Sequence, residues 1–200
     1  MNLLILLDFD GVLFNGAYEA FQVCDNLAKN NKDLRQKVNL DEFMDFRRYV
    51  TDAWQFNRLY SKSLLIDDFT KLPFCAQLAE DRDFANNFFN QRQEIMQNKD
   101  WVKLMSPFPF FYEIKKLIDL YPNLFKILST RDEMSIRQTF DFFSLPQIDI
   151  FGKESLSNYD SKIDLASNKG WMDKDVFSVF VDDMNYHLEP FQGYASLCIH

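Results

Sequence analysis

Residues 3–7, Leu-Leu-Ile-Leu-Leu, form an unbroken apolar run that stops at Asp8, with Asp10 and Gly11 close behind. A run of this length bounded by a turn signal reads as a strand covered on both faces, the pattern of a central strand in a parallel sheet. Parallel strands need crossover connections, so this one stretch commits the chain to an α/β fold. It also sets a problem. If the strand persists through Asp10, the two carboxylates share a face. At about 6–7 Å they repel by about 2–3 kcal/mol for an effective dielectric near 20. A bound divalent cation offsets such repulsion, as does protonation of one carboxylate, and catalytic sites use both. The plainer reading is a turn, because Asp and Gly end strands on their own account.

Four further short β-rich runs follow: LFKILS at 124–129, IDIF at 148–151, VFSVFV at 176–181 and SLCI at 196–199. Helical patterns lie between them. Ile114, Leu117, Ile118 and Tyr121 share one face before Pro122-Asn123, and Ile136, Phe140 and Phe143 share another before Pro146. A third candidate helix spans 161–168 and ends at Gly170. The alternation predicts βαβ units and a doubly wound parallel sheet, whose ligands bind beyond the carboxyl ends of the strands.

The first crossover is far too long. A parallel connection can be made with about a dozen residues, yet more than a hundred separate Asp10 from Leu124. Within that interval Ala17, Phe21, Cys24 and Ala28 line one helical face. Phe43, Phe46, Val50, Ala53 and Trp54 line a second, and Phe84, Ala85, Phe88, Phe89, Ile95 and Met96 a third. The expectation is a mostly helical insertion at 16–106, with 1–15 and 107–200 forming the α/β core. Pro107 and Pro109 are expected to return the chain as a stiff hinge.

A hydrophobic fraction of 47%, with 22 Phe in 200 residues, is enough for a sizeable core. The net charge of −8 argues against a broad nucleic-acid surface. Cys24, Cys75 and Cys198 have no metal or disulfide spacing. No run approaches a membrane span, and the N-terminal run lacks the basic flank of a secretory signal. A soluble cytoplasmic protein is expected.

Polar residues recur at the strand tips. Ser129, Thr130 and Arg131 close the second run, Asp182 and Asp183 the fourth, and Lys153 and Lys162 follow the third. Oxygen ligands on such a rim suit Mg²⁺, and a lysine suits phosphate. In this order the sequence resembles the haloacid dehalogenase superfamily of hydrolases and phosphatases. DFDGVL looks like the first motif, Ser129 the second, Lys162 the third and Asp182-Asp183 the fourth, with a helical cap inserted after the first.

The resemblance implies that Asp8 is a nucleophile forming an aspartyl phosphate and that Asp10 is a general acid and base. It implies that Asp8, the Asp10 backbone carbonyl and Asp183 hold Mg²⁺, with Asp182 close by. Ser129, Thr130 and Lys162 would bind the phosphoryl group. By the same resemblance Asp10 favours the phosphatases and phosphomutases over the dehalogenases, which lack that acid. Two positions depart from the pattern. His187 stands where many members place another acid, and Lys153 competes with Lys162 as the third-motif lysine.

Outside the motifs the plainer readings hold. Arg131 and Asp132 read as a solvated loop pair, and His187 and His200 as structural. Arg47, Arg48, Trp54, Arg58, Tyr60 and Lys62 read as a helix surface. The function expected is Mg²⁺-dependent hydrolysis of a small phosphorylated metabolite. A phosphomutase and a weakly catalytic phospholigand-binding protein are the alternatives.

Overall fold

The computed structural model describes residues 2–35, 37–62, 78–193 and 197–200. Cys75 and Ser196 lie outside the described residues. The chain divides into two compact units, Met1–Asn15 with Ser106–His200, and Gly16–Met105.

The first unit is built on a five-stranded parallel sheet. Its strands are β1 (Asn2–Leu7), β4 (Phe125–Leu128), β5 (Asp149–Phe151), β6 (Val176–Val181) and β7 (Leu197–Ile199). Their order is β5-β4-β1-β6-β7. The strand that opened the sequence is therefore central, and Leu7 pairs with Ile127 on one side and Val181 on the other. A two-stranded ladder, β2 (Phe14–Asn15) against β3 (Ser106–Pro107), stands apart from this sheet. Pro107 thus lies in a paired strand.

Helices α5 (Phe111–Leu120), α6 (Glu133–Phe142), α7 (Lys153–Leu156), α8 (Lys162–Asn168) and α9 (Asn185–Leu188) connect these strands. The periodic apolar residues explain most of the packing. Ile118, Ile136 and Phe140 are buried, and Leu165 and Ala166 of α8 join Leu4, Leu6, Leu128 and Phe180 in one cluster. Gly170 ends the α8 segment with φ +71°, a conformation that favours glycine.

Burial is not uniform. Leu3 stays 42% exposed, so the start of β1 is not covered on both faces as the run suggested. Leu117 and Tyr121 are likewise exposed, leaving Phe111 and Ile118 to anchor α5.

The second unit comprises α1 (Ala17–Asn30), α2 (Leu40–Arg47), α3 (Phe56–Tyr60) and α4 (Ala79–Met96), with a 3-10 turn at Ala53–Gln55. Phe43, Phe56 and Phe88 stack through its centre, with ring centroids 5.0 and 5.7 Å apart. Trp54 and Tyr60 are buried, and Arg58 pairs with the buried Asp81. These three are therefore not the solvated helix surface expected; Tyr60 packs against Phe43, and Arg58 lies over the buried Trp54 ring while pairing with Asp81.

Glu19 of α1 is fully buried and accepts two hydrogen bonds from Arg92 of α4, at 2.8 and 3.0 Å. Arg92 also lies over the Phe88 ring at 4.8 Å. Removing one member of a buried ion pair typically costs about 3–5 kcal/mol, because the other charge is stranded. Arg92→Met should therefore lower the unfolding free energy by about that amount in urea titrations, whereas the double replacement Glu19→Leu with Arg92→Met should recover most of it.

Candidate active site

The sheet register brings the acids together. β1 and β6 end side by side at Leu7 and Val181, so Asp8 and Asp182 emerge from neighbouring strand ends. The Asp8 N–H still donates to Val181 O at 2.9 Å, one bond beyond the assigned strand. After Asp8 the chain turns. Phe9 is fully buried against Phe14 at 4.9 Å, and the Leu13 and Phe14 amides both donate to Phe9 O. The strand therefore does not persist to Asp10, and the premise of two carboxylates alternating along one strand is replaced by a turn.

Lys162 is delivered by α8. Ser161 caps that helix by accepting from the Asp164 N–H at 3.2 Å, while Leu165 and Ala166 seat it on the sheet. The lysine is 4% exposed. Its ammonium donates to Asp182 Oδ2 at 2.6 Å and lies 3.2 Å from Asp8 Oδ2. Lys153 is exposed at the start of α7. The two lysines are thus sharply unequal in surroundings.

Three buried charges shift one another. Burial pushes the Asp8 carboxyl up to about 6; the Lys162 charge opposes this and the Asp182 charge reinforces it. For Lys162, burial works against the charged form, but Asp8 and Asp182 outweigh it and hold the ammonium above its ordinary value. Asp182 falls below the usual carboxylate range: burial raises it, yet the His187 hydrogen bond and the Lys162 charge prevail.

His187 closes the other side of Asp182. Its Nδ1 lies 3.0 and 3.1 Å from the two Asp182 oxygens, and Asp182 Oδ1 also accepts from the Met184 N–H at 2.9 Å. Asp8, Asp182 and His187 each bring one donor atom within 4.8 Å of the others. The sequence alone reads His187 as structural. Its position four residues after Asp183 was the available signal, but the contact made is with Asp182.

Ser129 is buried just past the end of β4, and its hydroxyl accepts from the Arg131 N–H at 3.3 Å. Thr130 is exposed. Asp183 is exposed too, with its carboxylate over Gly11: a Cβ on that glycine would lie 2.0 Å from Asp183 Oδ2. Gly11 has φ +80°, so both its conformation and its bareness are used. Carboxylate oxygens suit a hard divalent cation; Asp183 lies against the bare Gly11, while the donor atoms found within 4.8 Å of one another among the described residues are those of Asp8, Asp182 and His187. The residues present fit such an ion.

Arg131 and Asp132 overturn the solvated-pair reading. Arg131 is buried, and its Nη1 lies 3.0 Å from both oxygens of Asp10. Asp132 is the N-cap of α6, accepting from the Ser135 N–H at 2.8 Å. A strand tip followed by Arg-Asp looks polar and open; here a helix start and a distant carboxylate absorb both charges.

Stability separates the two lysines. Lys162→Met leaves Asp8 and Asp182 buried beside each other without their shared cation, and should cost about 3–5 kcal/mol in denaturant unfolding. Lys153→Ala should stay within about 0.5 kcal/mol of the parent, as surface substitutions usually do.

No family model matches the sequence, and no curated protein matches it. Solved structures do resemble it. One is a HAD-superfamily hydrolase of subfamily IA, variant 1, from Geobacter sulfurreducens, with TM-score 0.62 and 13% identity over 100% of this chain and 95% of that one. Another is CbbY from Rhodobacter sphaeroides in complex with phosphate, with TM-score 0.62 and 14% identity over 99% and 85%. A third is described as a predicted phosphoglycolate phosphatase from Haemophilus somnus, with TM-score 0.63 and 14% identity over 99% and 84%. At these identities the likeness is one of backbone. A central parallel strand ending in an aspartate, a neighbouring strand ending in another and a lysine between them stand on that backbone, and the chain has the fold of the haloacid dehalogenase superfamily.

Proposed function

We propose that the chain is a phosphatase of the haloacid dehalogenase type, hydrolysing a small phosphorylated metabolite with Mg²⁺. The observation that carries this reading is the Lys162 ammonium shared by Asp8 and Asp182 at adjacent strand ends. A carboxylate nucleophile beside a fixed cation is suited to a phosphoryl group, whose attack needs alignment and charge neutralisation more than covalent assistance from the protein. The phosphatases and hydrolases among the structural neighbours, and the phosphate bound by one of them, point the same way.

Asp8 attacks phosphorus through a carboxylate oxygen, forming an aspartyl phosphate as the ester P–O bond breaks. Asp10 gives a proton to the departing ester oxygen, then takes one from the water that attacks the acyl phosphate and releases inorganic phosphate. Lys162 and Ser129 bind phosphoryl oxygens, with Thr130 at the same rim. Lys162 also holds Asp8 in place while Asp182, steadied by His187 and the Met184 amide, holds Lys162. Asp8, Asp183 and the Asp10 backbone carbonyl are the groups that would hold Mg²⁺, with Asp182 adjacent. When bound, the cation supplies charge screening between Asp8 and a phosphate dianion.

The purified protein should hydrolyse an aryl phosphate with Mg²⁺ and lose turnover in excess chelator. Asp8→Asn should abolish turnover. Asp10→Asn should lower kcat by about 10²–10⁴, the usual range for acid–base catalysis, and more for alkyl than for aryl phosphates. Undiminished activity in chelator would remove the metal from this reading, and turnover by Asp8→Asn would remove the nucleophile.

A further inference from the structure

Asp10 lies on the turn beyond β1, bridged to Phe14, and its side chain is 27% exposed. Arg131 reaches it from the tip of the neighbouring strand β4. Its side chain is 1% exposed, and Nη1 sits 3.0 Å from both Asp10 oxygens, bridging the carboxylate with one nitrogen. Nε donates to Ser135 Oγ at 2.9 Å, and the guanidinium carbon lies 5.4 Å from the centre of the buried Phe9 ring. Ser135 is itself fixed, its hydroxyl donating toward Asp132 and its amide capped by the same residue. The first turn of α6 therefore fixes an arginine that reaches Asp10, 121 residues earlier in the chain.

The geometry points to Arg131 as the positioning residue for Asp10, an inference that rests on the phosphatase reading above. The guanidinium neither gives nor takes a proton in the reaction, since arginine keeps its charge at all working pH values. Its part is to hold the Asp10 carboxyl in one rotamer, so that the proton passes to the leaving oxygen and later comes from water along a fixed line. Misplacing a reacting group by about 1 Å can cost on the order of 10²-fold in rate. The flat guanidinium suits this task because different nitrogens of one rigid fork bond Asp10 and Ser135 beside the Phe9 ring, a fixed geometry that the freely rotating ammonium of a lysine does not impose.

The test is a double-mutant cycle. Arg131→Met keeps bulk over Phe9 and removes the charge; Arg131→Lys keeps the charge and loses the fork. In the parent, Arg131→Met should lower kcat on an alkyl phosphate by about 10–100-fold with KM changed less than about threefold, and Arg131→Lys should recover part of that loss. In an Asp10→Asn background, where there is no proton to direct, Arg131→Met should cost less than about threefold further. Equal losses in both backgrounds would overturn the inference. So would full activity of Arg131→Met, or a rise in KM alone, which would make Arg131 a substrate ligand. If circular dichroism shows that Arg131→Met does not fold, Ser135→Ala in the same two backgrounds makes the same comparison by loosening the arginine, with a loss expected in the parent and none with Asp10→Asn. Wild-type rates for Asp10→Asn alone would overturn the acid–base reading and this inference with it. A normal Asp10→Asn loss beside a silent Arg131→Met would overturn this inference alone.

Discussion

A single ammonium shared by two buried carboxylates is the arrangement around which the α/β unit is organised. Burying three charges costs several kcal/mol per ion unless geometry and hydrogen bonding repay it. The repayment demands that Asp8 and Asp182 leave adjacent parallel strands at the same height, which the Leu7–Val181 register provides. It also demands a cation from the helix seated on that face, and α8 delivers Lys162 from its first turn while its next residues are buried against Phe180 and Leu6. Sheet order, helix placement and site chemistry are thus one constraint. Asp182 has a second neighbour beyond the ammonium, with His187 Nδ1 3.0 Å from its Oδ2.

The site also shows how aromatic packing can direct polar chemistry. Phe9 lies between the two acids in sequence and is wholly buried. By stacking on Phe14 it turns the chain away from the strand direction, so that Asp8 faces Lys162 and Asp10 faces Arg131. The same ring is the surface over which the Arg131 guanidinium lies. One apolar side chain thus separates two carboxylates that would repel if they continued along one strand, and gives each its own cation.

Much of this was legible in the sequence because it is local. The five apolar runs carry strands, and Ser161 and Gly170 bracket α8 as their turn chemistry requires. What could not be read depends on contacts between distant residues. Arg131 looks solvated until Asp10, 121 positions away, is brought beside it. Arg92 looks like one more polar position on α4 until it meets Glu19, 73 residues earlier. The exposure of Leu3 was hidden for the same reason: an apolar residue at a strand's first turn gives no sign of how far the covering helices reach. His187 had a suggestive spacing, but spacing does not say which of two adjacent aspartates an imidazole will choose.

The short ladder of Phe14–Asn15 against Ser106–Pro107 bears on how such a chain can assemble at all. Its strands come directly before and directly after the Gly16–Met105 segment in the chain, so that segment begins and ends at a clasp two residues wide. Closing an unstructured loop of this length costs on the order of 4 kcal/mol in chain entropy, by the logarithmic dependence on loop length. A segment that has already collapsed around its own phenylalanines has surrendered most of that freedom, leaving a short gap for the clasp to close. The β1–β4 pairing joins residues more than a hundred positions apart, and pairings of that separation are slow to form because loop entropy is paid before the contact is made.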